Sequence, residues 1–388
     1  MRTILKNCNL IDGISEESSK HAYLIVDNDK IKEVGLGDVR TNAADEVVDC
    51  TDKYVLPGLI DAHVHLVWDG SADPQSAIND LENDAITLNA YKHSLDYLKH
   101  GITTVRDVGS PDRTTLHVRN AINAGHLQGP TIVSSGSPIC MTGGHVYYLG
   151  REVDSPDEAR KATRTVLKEG ADLIKLMATG GIYTFGEEPG FSQLTLEEMK
   201  AATQEAHKKG IKVAAHADGL EGILNCIEAG VSTIEHGIYA DEHALSLMKE
   251  KNMYLVPTMI VMKRLASDDR MVDWANEKAQ YVLTPHMEML KKAVKQGVKI
   301  ATGTDCGSPV TPPKYYFDEL PIMQEAGMTS MEVIQSSTRI AAECLGLDNY
   351  GTLAEGKKAD LLIVDGNPLD DIHVLKNEKS IMKNGTFI

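Results

Sequence analysis

The sequence predicts an α/β protein, a (β/α)8 TIM barrel accompanied by a small β-sandwich domain that both chain ends form. Three observations lead to this prediction: strand–helix units repeat through the middle of the 388-residue chain, both ends are rich in short strands, and histidines follow several central strands. A chain of this length can bury one large core and a smaller appended unit. We expect the sandwich at residues 1–55 plus 350–388 and the barrel at residues 56–349.

Antiparallel strand pairs are predicted at both chain ends. AYLIVDNDKIKEVG predicts a hairpin that turns at Asn28-Asp29, because Asn and Asp tolerate the backbone conformations of tight turns. After the strand KADLLIVD, the final residues predict a second pair that turns at Asn384-Gly385. Since the middle of the chain lacks this pattern, we expect the two ends to meet in one sandwich beside the barrel.

The central region alternates short apolar runs with amphipathic helical stretches. SPDEARKATRTVLKEG begins with Ser155-Pro156, an N-cap followed by proline at the first helical position, and ends on glycine, a common helix stop. Repeated units of this kind match a barrel, whereas an open doubly wound sheet usually has fewer strands and a glycine-rich first turn. The candidate strands are LIDAHVHL, GITTVRDVG, PTIVSSG, LIKLMATG, KVAAHA, TIEHG, YLVPTM and VKIATGTD.

Composition limits the partners that the protein can have. The formal charge of −17 repels phosphate backbones and anionic membrane surfaces, so we expect neither nucleic acid nor membrane as a partner. No run approaches the length of a membrane span, and the N-terminal residues turn polar too early for a signal peptide. Six scattered cysteines without a CxxC pair indicate reduced thiols and a cytoplasmic location. The sequence leaves open whether the chain forms a homo-oligomer.

Potential metal ligands lie at or near the ends of five predicted strands. His63 and His65 are two residues apart on one strand, so both side chains face the same side, which is the interior of a barrel. Paired imidazoles are typical ligands of zinc. An acidic side chain at the last strand can bind one metal and accept a proton from water. The candidate ligands are His63, His65, Lys175, His216, His236 and Asp305.

Lys175 is a lysine inside an apolar strand. Burial disfavours the charged form, so the pKa of the amine falls and the neutral amine can react with carbon dioxide. The product, an N6-carboxylated lysine, is an anion that can bridge two divalent metal ions. A lysine paired with a neighbouring carboxylate is the simpler alternative, and the surrounding histidines favour carboxylation over it.

Three irregular stretches follow predicted strands and belong on the face where barrel active sites form. They comprise residues 137–154, 180–193 and 306–316, and we expect them to line the substrate site. Glu187 and Glu188 of the second stretch are expected to form a solvated acidic loop tip.

Three further residues near the site are expected to be structural. Arg106 and Asp107 end the second central strand and are interpreted as a supporting pair. Cys306 adjoins Asp305, but strand alternation turns its side chain away from the metals, which indicates packing.

The central motifs resemble those of the amidohydrolase superfamily, in its subtype with two metals and a carboxylated lysine, and the resemblance covers nearly the whole chain. It is carried by PGLIDAHVHL, GITTVRDVG, IKLMATGG, IEHG, LVPT and TGTD. MTGGH, together with Pro189 and Gln193 of EEPGFSQ, resembles more narrowly the branch of Xaa-Pro dipeptidases, or prolidases, and Lys/Arg-type carboxypeptidases. The chain departs from this branch at Val146-Tyr147 and at Tyr183-Thr184-Phe185, both within the stretches expected to determine substrate specificity.

The resemblance implies a role for each candidate residue. His63 and His65 would bind the more buried metal together with Asp305, His216 and His236 would bind the second metal, and Lys175 would bridge the two. Asp305 would take a proton from a metal-bridging hydroxide and deliver it to the leaving amine. His145 and Tyr239 would contact the substrate or polarise its carbonyl.

The leading hypothesis is a zinc-dependent hydrolase that cleaves a small-molecule amide, either a dipeptide or an N-acyl amino acid. The alternative is hydrolysis of a cyclic amide or an aminohydrolase reaction, as in imidazolonepropionase or the deaminases. Mononuclear deaminases of the superfamily carry a glutamate three residues after the fifth-strand histidine, where this chain has Gly219. A non-enzymatic scaffold is a third hypothesis, disfavoured because all six ligand positions are kept.

Overall fold

A computed structural model describes residues 2–388, and it contains the strands that the sequence predicts together with several short ones. The strands in chain order are β1 (Arg2–Leu10), β2 (Ser19–Asp27), β3 (Lys30–Leu36), β4 (Glu46–Asp49), β5 (Lys53–Pro57), β6 (Leu59–Val64), β7 (Ile102–Asp107), β8 (Thr131–Ser134), β9 (Ile139–Cys140), β10 (Arg151–Glu152), β11 (Leu173–Met177), β12 (Lys212–Ala217), β13 (Thr233–His236), β14 (Tyr254–Val256), β15 (Lys299–Ile300), β16 (Leu361–Asp365), β17 (Lys379–Lys383) and β18 (Thr386–Phe387).

Helices connect the central strands. They are α1 (Pro74–Asn79), α2 (Asn83–Lys99), α3 (Thr114–Asn123), α4 (Pro156–Glu169), α5 (Leu196–His207), α6 (Leu220–Ala229), α7 (Glu242–Glu250), α8 (Met259–Ser267), α9 (Asp273–Gln296), α10 (Tyr316–Glu325), α11 (Ser330–Ser336) and α12 (Arg339–Leu345). Short 3-10 turns occur at Tyr147–Leu149, Pro313–Tyr315 and Ile372–Lys376. Within residues 2–388, none of these helices combines the length and the apolar character that a membrane crossing requires.

The two chain ends meet, as the sequence predicts, and they share one sheet; the β-sandwich stays a prediction. The strand order of the sheet is β18-β17-β16-β5-β1-β2-β3, and β4 pairs with β1. The β2–β3 hairpin turns at Asn28, whose φ is 55°, and the β17–β18 hairpin turns at Asn384, whose φ is 48°. Both predicted turns are therefore confirmed, because left-handed Asn residues are typical of two-residue hairpins.

The middle of the chain forms two parallel sheets. One has the order β10-β9-β11-β12-β13-β14-β15, and the other has the order β6-β7-β8. A parallel bridge joins Val64 to Cys306, and the Asp172 N–H donates to the Ser134 carbonyl over 2.9 Å. All eight predicted central strands are present, and the fold is α/β with parallel sheets.

Helix ends follow the expected capping chemistry. The Ser155 hydroxyl accepts from the Glu158 N–H at the start of α4, and Gly170 ends that helix with a φ of 97°. At α5, Thr195 and Glu198 form a capping box. The helix α5 ends at His207, three residues before the glycine that the sequence suggested as its stop.

Apolar side chains from the parallel strands and their helices form the largest core, and the terminal sheet has a second one. The six cysteines are buried and are free thiols, in agreement with the sequence analysis. Cys306 is fully buried among apolar neighbours, which confirms that it packs.

A buried ion pair joins the terminal sheet to the parallel sheets. The Lys383 ammonium donates to Asp360 and, over 2.7 Å, to the hydroxyl of Thr131 on β8. Both charged side chains are only 6% exposed. Removing one partner of such a pair leaves the other charge buried without compensation.

We therefore expect Lys383→Met to lower the free energy of unfolding by about 3–5 kcal/mol in denaturant titrations. The matched control is Lys358→Met, which breaks an ion pair with Asp29 whose side chains are 27% and 44% exposed. That change should cost about 1 kcal/mol or less. Equal losses in the two variants would contradict the structural role given to Lys383.

Candidate active site

The six ligands that the sequence predicts meet at one cavity, at the carboxyl ends of the central parallel strands. Each contributes to its lining, although the residues lie far apart in the chain. The cavity has a volume of about 50 Å³. The residues concerned are His63, His65, Lys175, His216, His236 and Asp305.

Asp305 is the centre of the histidine cluster. Its Oδ1 atom lies 3.5 Å from His63 Nε2 and 3.4 Å from His65 Nε2. Ligand atoms of His63, His236 and Asp305 lie within 4.8 Å of one another, a spacing that one metal ion can bridge. His216 packs beside His236, with 4.8 Å between the ring centroids.

Each of the four imidazoles is fixed by one ring nitrogen. The contacts are His63 Nδ1 to Glu235 Oε2 (2.8 Å), His65 Nδ1 to Gly109 O (3.2 Å), His236 Nδ1 to Thr258 Oγ1 (2.6 Å) and His216 Nε2 to Gly180 O (3.0 Å). Within residues 2–388 the second nitrogen of each ring has no hydrogen bond and is available to a metal ion. Anchoring of this kind is typical of metal-binding histidines.

The histidines have the protonation state that metal binding needs. Burial lowers the pKa of His65 to about 3. Burial also holds the pKa values of His63, His216 and His236 well below the ordinary histidine value. The rings are therefore neutral near pH 7 and offer a lone pair to a cation.

Lys175 is fully buried on β11, as its apolar neighbours predict. Among residues 2–388, no carboxylate lies close enough to its ammonium to form an ion pair. Burial, opposed by the charge of Glu235, lowers the pKa of Lys175 to about 8. A neutral amine is thus accessible near physiological pH, and the paired-lysine alternative finds no partner in the described part of the chain.

Left-handed backbone conformations occur where the strands end at the cavity. His236 has a φ of 65°, Thr258 of 50° and Asp305 of 58°. These conformations are costly for residues other than glycine and are often found at functional sites. Burial raises the pKa of Asp305 to about 7, and the Ser308 hydroxyl donates to its Oδ1 atom over 2.8 Å.

Glu235 is a buried carboxylate that the sequence analysis did not single out. It accepts two hydrogen bonds from the Arg106 guanidinium, at 2.8 and 2.9 Å, while its Oε2 atom contacts His63. The expected pair of Arg106 and Asp107 is wrong: Asp107 accepts instead from the Leu66 N–H over 2.9 Å. Adjacent residues on a strand face opposite sides, so these two cannot pair.

We expect Glu235→Gln to weaken metal binding by about 10–100-fold, because carboxylates that orient a ligand histidine contribute to affinity at this level. Titration of metal-free protein with zinc against a chromophoric chelator measures the change. The control is Glu228→Gln, which alters an exposed carboxylate paired with Lys200. Unchanged affinity in the Glu235 variant would show that Arg106 and the strand backbone orient His63 without it.

Asp218 is a second buried carboxyl group beside the cavity. Its Oδ2 atom lies 3.4 Å from His216 Nε2, and within residues 2–388 neither oxygen forms a hydrogen bond. Burial raises the pKa of the Asp218 carboxyl well above its ordinary value, because a charged carboxylate is disfavoured away from water.

His145 lies in the cavity wall, whereas Tyr239 lies outside it. The His145 ring stacks on His216 with 4.3 Å between the centroids. Tyr239 lines a neighbouring groove together with Glu188 and Tyr281. The substrate role of Tyr239 stays a prediction.

Glu187 does not form the solvated tip that the sequence suggested. Its side chain is only 10% exposed, and its Oε2 atom lies 3.2 Å from His145 Nδ1. The loop folds back over the cavity, and the hydrogen bond to His145 compensates for burial of the carboxylate. Glu188 is exposed, as expected.

The remaining wall is mostly apolar, with Tyr183 and Ser308 as its polar members. All three irregular stretches contribute to it, which confirms their predicted position at the site. Apart from Lys175, no lysine or arginine of residues 2–388 lines the cavity. The apolar lining residues are Trp68, Val146, Met177, Ile182, Val261, Met262, Leu265 and Pro309.

Comparisons with known proteins identify the family and several relatives of the chain. Residues 54–388 match the amidohydrolase family. Ochratoxinase of Aspergillus niger is 32% identical over 364 residues, which cover 84% of this chain and 73% of that protein. The solved structure of a Xaa-Pro dipeptidase with bound methionine in the active site has 34% identity and a TM-score of 0.93, with 100% of both chains covered. A prolidase complexed with N-methylphosphonate-L-proline has 28% identity and a TM-score of 0.93, with 100% of this chain and 99% of that chain covered.

Proposed function

The chain belongs to the amidohydrolase family, and we propose that it hydrolyses the amide bond of a dipeptide or an N-acyl amino acid with the help of two divalent metal ions. The chain is a hydrolase that acts on amide bonds, as its family membership and its similarity to prolidases and ochratoxinase indicate. The observation that carries the proposal is the cavity in which four neutral histidines surround Asp305 and the unpaired Lys175.

The histidines, the lysine and the aspartate of the cavity are suitable ligands for two divalent cations such as zinc. His63, His65 and Asp305 would hold one, and His216 and His236 would hold the other. Lys175, carboxylated on its free amine, would bridge the two, because it lines the same cavity and forms no ion pair with a carboxylate of residues 2–388. When bound, such cations polarise an amide carbonyl and lower the pKa of water.

The protein side chains contribute proton transfer and orientation. Asp305 would accept a proton from the attacking water and pass it to the leaving amine, since it is the carboxylate within 3.5 Å of both His63 and His65. His145 would contact the substrate carbonyl or carboxylate through Nε2, because its Nδ1 is held by Glu187 and Thr184.

The wall of the cavity favours apolar substrates. Its aliphatic and aromatic side chains would bury an uncharged side chain, whereas a lysine or arginine side chain would lose hydration without gaining a partner. We therefore propose that apolar dipeptides of the Xaa-Pro kind, or N-acyl forms of apolar amino acids, are better substrates than Lys- or Arg-containing ones.

The same proposal includes the architecture. The two parallel sheets would be parts of one closed (β/α)8 barrel, supported by the bridge from Val64 to Cys306 and by the contact from Asp172 to Ser134. The terminal sheet, with its separate core, would be the β-sandwich domain of residues 1–55 and 350–388.

A substrate panel tests the function. Zinc-loaded protein is assayed against Xaa-Pro dipeptides, dipeptides ending in Lys or Arg, and N-acyl amino acids, with chelator-treated protein as the control. We expect chelation to abolish turnover and apolar substrates to have the highest kcat/KM. Release of ammonia from cyclic amidines, or ring opening of cyclic amides without dipeptide cleavage, would replace this function with the aminohydrolase or cyclic-amide alternative.

A further inference from the structure

We propose that Glu187 is a positioning residue, which holds His145 in its substrate-facing orientation only when residues 180–193 are closed over the cavity. We call these residues the cover segment. The inference rests on the proposed function, because that function assigns His145 to the substrate. It adds to that function a role for Glu187 and an opening and closing of the cover segment, neither of which amide hydrolysis by itself requires.

The contacts of Glu187 fix both ends of His145. Its Oε2 atom lies 3.2 Å from His145 Nδ1, which also lies 3.0 Å from the Thr184 hydroxyl of the same segment, and its Oε1 atom accepts from Gln193 Nε2 over 2.8 Å. Gln193 Oε1 in turn accepts from the backbone N–H of His145 over 2.9 Å. The ring and the backbone of His145 are therefore both tied to the cover segment, which leaves Nε2 as the nitrogen available to a substrate.

The cavity is too small for the proposed substrate in this closed arrangement. Its volume of about 50 Å³ accommodates a few water molecules or metal ions, whereas small-ligand sites span roughly 300–1,000 Å³. Ile182 and Tyr183 of the cover segment form part of the wall. A dipeptide can enter only if some of this wall moves.

The cover segment is the part of the wall that can move at low cost. Phe185 and Phe191 are 79% and 71% exposed, so its outer half buries little apolar surface. Segments with few buried contacts open with a small free-energy cost. The closed position is held on α9, where Lys278 donates to the carbonyls of Thr184 and Glu187 and Trp274 stacks on Tyr183.

Gly181 of the cover segment leaves the space that the His145 ring occupies in the closed arrangement. A β-carbon on Gly181 would lie 2.3 Å from His145 Cε1, so the ring can occupy its place only above a glycine. A β-carbon on Gly190, in the same segment, would meet no atom within 4 Å. Gly181→Ala and Gly190→Ala are therefore a matched pair, of which only the first displaces His145.

The test measures turnover and closure separately. The chain has two tryptophans, of which Trp68 is only 4% exposed whereas Trp274 is half-buried beside Tyr183, so Trp274 is the main reporter of the cover segment. In the otherwise unchanged protein, Glu187→Ala, Glu187→Gln, Gly181→Ala and Gly190→Ala are compared, zinc-loaded, on a dipeptide that the parent hydrolyses. Acrylamide quenching of Trp274 reports how far the segment is open, and Lys278→Met provides an opened reference.

We expect Glu187→Ala and Gly181→Ala to lower kcat by about 10²-fold, with smaller effects on KM, since misplacing a substrate-contacting group has effects of this size. Glu187→Gln, which keeps a hydrogen-bond acceptor, should recover about tenfold of this loss. Glu187→Ala should also raise quenching towards the Lys278→Met value. Gly190→Ala should match the parent in both measurements.

Two results would overturn the proposal. One is a kcat for Glu187→Ala close to that of the parent, and the other is equal behaviour of the two glycine variants. If the parent hydrolyses no amide at all, the proposed function fails, and crystal structures of zinc-loaded parent and Glu187→Ala then decide the positioning. A rotated His145 ring in the variant supports it, and an unmoved ring refutes it.

Discussion

Replacing Lys175 with alanine is expected to remove most of the bound metal and to lower kcat/KM by about 10³-fold or more. The reason is that a bridging anion is lost from a site whose remaining ligands are mostly neutral imidazoles. Metal ions supply several kcal/mol of transition-state stabilisation, and each 1.4 kcal/mol corresponds to about tenfold in rate. Metal content by elemental analysis and turnover on a dipeptide measure the two losses.

Short carboxylic acids distinguish carboxylation from a structural role of the lysine. Acetate or propionate can enter the space left by the side chain and supply the missing carboxylate, so both metal content and turnover should partly return. The control is Lys161→Ala, which removes an exposed lysine of α4. A Lys175→Ala variant that keeps its metal and activity would refute the bridging role.

Replacing Asp305 with asparagine is expected to lower kcat by about 10²–10⁴-fold, the contribution of a well-placed proton-transfer group. The amide retains the shape of the carboxyl group and an oxygen that can bind metal, but it cannot accept the proton of water. Metal content must be measured alongside kcat, because a parallel loss of metal would assign the effect to ligation. The exposed Asp269→Asn is the control. A loss below about tenfold would mean that another group moves the proton.

The strands and the ligand positions could be predicted because they depend on local periodicity. His63 on β6 and His65, directly after its last residue, both line the cavity, as two-residue spacing requires. The hairpin turns at Asn28 and Asn384 were equally predictable, since their backbone conformations suit few residue types. In these cases the chemical type of a residue and its spacing from its neighbours carry the information.

Contacts between distant segments were beyond sequence reasoning. Arg106 was placed with its neighbour Asp107, although its partner is Glu235, 129 residues away. The available signal for Glu235 was its position as a charged residue inside the apolar strand TIEH, next to the candidate ligand His236. The acidic sequence around Glu187 is typical of a solvated loop tip, and Glu187 reaches His145 only because the loop folds back over the cavity. A loop conformation of this kind leaves no periodic pattern in the sequence.

The terminal sheet has a consequence for biosynthesis. The strand β5 lies between β1, which precedes it in the chain, and β16, which follows about 300 residues later. One edge of β5 therefore remains without its neighbour while the whole intervening region is translated. An unpaired apolar strand edge can recruit strands from other chains, so we expect aggregation during rapid expression to start at this edge. Slower translation or a chaperone that covers nascent β-strands should improve the yield of folded protein.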